Sequence, residues 1–93
     1  MDRRHRLVAE QGNAYAQSSL GKMYYSGQGV PQDYVEAHKW VNLAASRVTG
    51  EDANRYRKHR DLVAEKMTST QIAEAQRLAR EWKAKTWDEL KDK

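Results

Sequence analysis

"YYSGQGVPQDYVEA", residues 24–37, decides the fold of this chain. Two glycines, Gly27 and Gly29, stand one residue apart just ahead of a helix start. Such a loop is either a phosphate cradle at a helix N-terminus or the corner between two packed helices. Phosphate loops follow a strand, and the Walker type adds a lysine and a hydroxyl after the second glycine. Here a helical pattern precedes the glycines, and Val30 and Pro31 follow them. The loop reads as a corner.

Working outward, residues 13–26 carry a helical stripe. Ala16, Leu20, Met23 and Tyr24 fall within about 100° of arc, the width of a core-facing face. Tyr15, Ser18, Ser19, Lys22 and Tyr25 occupy the other side. Gly27 then stands at the C′ position, where a positive φ costs it nothing. On the far side of the corner, a helix is expected to begin near Gln32. Pro31 would take its first position, Asp33 its first turn, and Val30 would staple against Tyr34 or Val35. Ala37, Trp40, Val41 and Ala44 form its buried stripe, with Ala45 at the edge. One large ring among small residues lets another helix approach closely.

The flanks are helical too. Residues 2–11 make a short leading helix that closes at Gly12. Residues 51–67 carry Ala53, Tyr56, Val63 and Met67 on one face. Thr68 and Gln71 have the spacing of a capping box, and Ile72, Ala75, Ala79 and Trp82 follow at helical intervals. Trp87 does not share the face of Trp82. Thr86 with Glu89 offers a second capping box, so a bend is expected near Lys85, with Trp87 and Leu90 folded back or loose. Strand patterns are missing throughout.

Composition agrees. The chain has 93 residues, one proline, no phenylalanine and no cysteine, which removes disulfides and thiolate metal sites. Its apolar runs are three residues or shorter, so no membrane span is expected. "MDRRHRLVAEQG" has the positive start of a leader without an apolar stretch behind it. As given, the chain reads as soluble, cytoplasmic and untargeted, with the periplasm and secretion left open. The net charge of +4 divides as five Lys/Arg against four Asp/Glu in residues 1–46 and twelve against nine in 47–93. Mixed signs of this kind belong to solvated helix faces.

"AEQGNAYAQSSLGKMYYSGQGVPQDYVEAHKWVNLAA", residues 9–45, resembles the Sel-one-like repeat, an α/α-hairpin relative of the tetratricopeptide repeat. The matching positions are Ala16, Leu20-Gly21, Tyr24, Gly27-x-Gly29-Val30, Asp33, and Ala37-x-x-Trp40-x-x-x-Ala44-Ala45. Residues 60–82 resemble the helix pair that closes many such arrays, while His59 departs from a position where a small apolar residue is commoner. The resemblance implies an all-α, right-handed α/α-hairpin solenoid of four to five helices, usually bacterial, that holds other proteins or peptides and has no catalytic residues. It gives Gly21 a close helix approach, Gly27 a helix end and Gly29 the corner. The expected organisation is a single domain: a truncated leading helix at 1–12, one full repeat at 13–48, a closing helix pair at 49–85 and a tail at 86–93.

No constellation points to an enzyme. His5, His38 and His59 are far apart in sequence and form no helical metal pair. His38, at the rim of its helix's buried arc, is expected to fill a hydrogen-bonded packing role. The carboxylates follow helix-surface logic, and no nucleophile pairs with a base. No cofactor and no metal is expected. "RYRKHR", residues 55–60, radiates its charges around a helix and is diluted by Glu51, Asp52 and Asp61, so it reads as solvated surface. The candidate partner-binding set is Tyr15, Ser18, Ser19, Lys22 and Tyr25. In a hairpin solenoid the first helix of each unit lines the concave side, and tyrosines beside a lysine suit an interface. The expected function is an adaptor that binds a protein or peptide, with Lys22 selecting an acidic or carboxylate-bearing partner. The alternative is a basic helical nucleic-acid binder. An open N-terminal edge would be covered by upstream repeats or by a second copy, giving a homodimer. Tyr25 and Lys22 are expected to be replaceable together without loss of stability.

Overall fold

The computed structural model describes residues 3–91, and these form six helices without a strand. They are α1 (Arg3–Glu10), α2 (Ala14–Ser26), α3 (Tyr34–Arg47), α4 (Gly50–Ala64), α5 (Ser69–Glu81) and α6 (Trp87–Lys91). α2 and α3 pack side by side as a hairpin, α1 lies against α2, and α4 and α5 both pack on α3. The architecture is an all-α helical repeat with α3 at its centre.

Local chemistry explains each boundary. Asn13 caps α2, its Oδ1 accepting the Ala16 N–H at 2.8 Å. Gly27 ends that helix at φ 77°, and its N–H donates to the Met23 carbonyl at 2.7 Å. Gln28 N–H reaches the same oxygen at 3.2 Å, and Asp33 N–H closes the corner on the Tyr24 carbonyl at 2.9 Å. These loop donors serve the orphan carbonyls of α2, so they cannot also cradle an anion.

The start of α3 differs from the expectation. Asp33 is the N-cap, with extended backbone and Oδ1 accepting the Glu36 N–H at 3.1 Å. Pro31 therefore lies outside the helix, and Asp33 is not within its first turn. The Asp33-x-x-Glu36 spacing is itself a capping signature, and the side-chain bond to an orphan N–H outweighs proline's preference for the first position. α4 also stops short of Met67, ending at Ala64; Met67 still packs on the core, from the turn.

The capping box before α5 is complete. Thr68 Oγ1 accepts the Gln71 N–H at 3.1 Å, and Gln71 Oε1 accepts the Thr68 N–H at 2.9 Å. Replacing Thr68 by alanine should cost about 1 kcal/mol and lower the melting temperature by about 4–8 °C. Thermal denaturation followed by circular dichroism measures it, and an unchanged midpoint would refute the cap's contribution.

The core joins Leu20, Tyr24, Ala37, Trp40, Leu43 and Val63, with Ala9 and Ala16 at its α1 end. Ala37, Val41 and Ala44 of α3 are fully buried and Trp40 nearly so. Leu43 is buried as well, outside the expected stripe, because three helices surround α3 and leave it little free surface. Met23, expected in the stripe, is only half-buried. Gln17 is fully buried and donates to the Ala9 carbonyl at 3.1 Å, tying α1 to α2. The Trp40 and Trp82 rings meet edge to face at 6.1 Å, locking α5 to the hairpin.

Past Trp82 the chain turns back. Lys85 N–H donates to the Glu10 carbonyl at 2.8 Å, and its Nζ lies 3.8 Å from the Glu10 carboxylate. Thr86 Oγ1 accepts the Glu89 N–H at 3.2 Å, and Leu90 is buried, so the segment folds back. The side chain of Trp87 lies outside the described residues.

Candidate partner-binding groove

α2 and α4 leave a small groove of about 110 Å³ between them, lined by Tyr15, Ser18, Ser19, Lys22, Arg55, Tyr56 and His59. Four of the five candidate residues meet there. Tyr15 is 74% exposed on the rim, Lys22 is exposed, Ser19 is half-buried, and Ser18 is buried at 3% on the floor. Ser18 shares the groove with Arg55, Tyr56 and His59 of α4, which a face count on an isolated helix cannot anticipate. Tyr25 sits beside the groove and is half-buried. Its ring lies 5.6 Å from Tyr34 and 6.2 Å, edge-on, from His59. Tyr25 packs against the core cluster. Removing it would therefore loosen the fold, contrary to the expectation of neutral stability.

The α4 half of the groove escaped the sequence reading. Tyr56, expected on the core face, is half-buried and lines the groove. Arg55, Tyr56 and His59 have the i, i+1, i+4 spacing of a single helix face, and the departure at His59 marks the same place. The arginines of residues 55–60 are paired with neighbours. Arg55 pairs with Asp52, Arg57 donates to Asn54 at 2.9 Å, and Arg60 donates to Asn42 at 3.1 Å and Asp61 at 3.2 Å. This is a solvated face on which Arg55, Arg57 and Arg60 are each engaged by a neighbour.

The groove's electrostatics are one-sided. Lys22 brings positive charge, Arg55 a guanidinium shared with Asp52, the tyrosines and serines bring hydroxyls, and no carboxylate is among the lining residues. Burial, then the charge of Lys22, holds the His59 imidazole below its ordinary value. Its Nδ1 is sealed from solvent and has no hydrogen-bond partner among the described residues. His38 is separate: it is packed within α3, held below its ordinary value by burial and then by Arg60, with Asp61 opposing. Its Nδ1 also lacks a partner among the described residues, so its role is packing without a hydrogen bond at that atom.

A two-helix hairpin with a glycine corner, a capped second helix and further helices packed on it defines an α-helical repeat protein. Residues 14–47 match the family model described as Sel1 repeat, so this stretch, α2 through α3, is a Sel1 repeat. No curated protein and no solved structure matches the chain. Sel1 repeats mediate protein–protein interaction and are non-catalytic scaffold elements. No described helix is long and apolar enough to cross a membrane.

Proposed function

We propose that this chain is a protein- or peptide-binding adaptor module without a catalytic step, and that its partner sits in the α2–α4 groove. One observation carries the reading: residues from two helices, distant in sequence, converge as cations, hydroxyls and aromatic rings with no acid among them. Such a lining complements an acidic segment. Tyr15 supplies rigid contact area on the rim, and Lys22 supplies the charge that selects a carboxylate.

The test uses the exposed pair, since Tyr25 also packs. Tyr15→Ala with Lys22→Ala should weaken binding of an acetylated, amidated acidic peptide about tenfold or more, measured by calorimetry. The melting temperature should move little, because surface substitutions usually change stability by about 0.5 kcal/mol or less. Undiminished affinity in the double variant would place the binding face elsewhere.

A further inference from the structure

We infer that the groove seats an ionised side-chain carboxylate of its partner between Lys22 and the His59 imidazole, and that capture takes up a proton at His59. This rests on the reading of the groove as the partner site and adds how that site is regulated.

The geometry carries the inference. His59 lines the groove together with Lys22, and because its Nδ1 is sealed from solvent, an entering carboxylate would meet the ring from the groove side. The groups around it offer no compensating anion. α2 contributes Lys22, Tyr15 and the edge-on Tyr25, and α4 contributes Arg55 and Tyr56. Asp52 is engaged by Arg55. On α3, Glu36 is engaged by Lys39 at 3.1 Å, His38 lies in the field of Arg60 and Asp61, and Arg47 stands over Trp82. Burial and then its lysine neighbour hold the imidazole of the free groove below its ordinary value, which favours the neutral form. An entering carboxylate reverses both causes: it offsets the lysine charge and supplies the partner an imidazolium needs.

The direction follows from linkage. The complex binds more protons than the free components wherever His59 is charged only when the groove is filled, so association tightens as pH falls through that window. Affinity should be flat well above the window. The partner's carboxylate stays ionised throughout, since an aspartate titrates near about 3.9.

Calorimetry with an acetylated, amidated hexa-aspartate peptide, at about pH 8 and about pH 5.5 in two buffers of different ionisation enthalpy, tests the idea. Affinity should rise at the lower pH, by up to about tenfold for each unit by which the bound carboxylate raises the imidazole's pKa. The buffers should reveal proton uptake, and His59→Gln should abolish both the slope and the uptake. Should that variant misfold, the His59 ring resonances of the unaltered protein replace it, titrating at higher pH with peptide than without. Binding that is independent of pH, or a slope that survives His59→Gln, overturns the proton linkage and leaves the groove reading intact. No binding at either pH overturns both.

Discussion

Gly21→Val is expected to unfold this protein or to lower its melting temperature by about 15 °C or more. Gly21 is where α2 and α3 touch backbone to backbone. A Cβ built on it would collide with Val41 Cγ2 and stand 3.1 Å from the Ala37 carbonyl oxygen and 3.3 Å from the Val41 nitrogen. Neither obstacle can yield cheaply. The two backbone atoms belong to the central helix, and valine in a helix is confined largely to one rotamer. Overpacking of this kind costs about 1–3 kcal/mol or more, against a total stability of about 5–14 kcal/mol for a chain of this size. Gly21→Ala is a finer probe. Alanine gains about 1 kcal/mol of helix propensity over glycine, so any net loss measures the clash above that gain. Adding Val41→Ala removes Cγ2 and should recover part of the loss, a coupling a double-mutant cycle would read. A Gly21→Val protein as stable as the parent would contradict the close approach on which the hairpin depends.

Trp40→Ala should cost about 3–5 kcal/mol, the range for emptying a buried tryptophan site. Trp40 is 2% exposed and joins the hairpin to α5 through Trp82. Lys39 Nζ also lies 4.4 Å from its ring centre, a cation–π contact. Trp82→Ala, at a half-buried ring, should cost less. Trp40→Phe should be the mildest of the three, because it keeps an aromatic ring and removes an indole N–H that has no partner among the described residues. Denaturant midpoints order the series, and a Trp40→Ala protein with the parent's midpoint would show that the α3–α5 seam contributes little.

Much of this was legible beforehand because its causes are local. The hairpin follows from Leu20 and Tyr24 on one helix, Ala37, Trp40, Val41 and Ala44 on the next, and a glycine able to take φ 77° between them. The α5 capping box lies within four consecutive residues and formed as its spacing implied. Where structure and expectation differ, the competing signal is also local. Asp33 and Glu36 outweighed Pro31 at the start of α3.

The groove was half legible. Tyr15, Ser18, Ser19 and Lys22 follow from the outward face of α2, whereas their neighbours Arg55, Tyr56 and His59 come from a helix whose placement no periodicity sets. Ser18 and Tyr25 looked like free surface on a lone helix and became floor and packing once α4 arrived. Leu43, outside the expected stripe, is core.

The amino-acid order by itself determined which long segments are helices, their boundaries to within a few residues, and that the glycine pair is a bend, because caps, propensities and stripes act within a few residues. Only the tertiary structure decided which outward faces meet. That depends on how α4 docks on α3, and therefore on side-chain packing between segments dozens of residues apart.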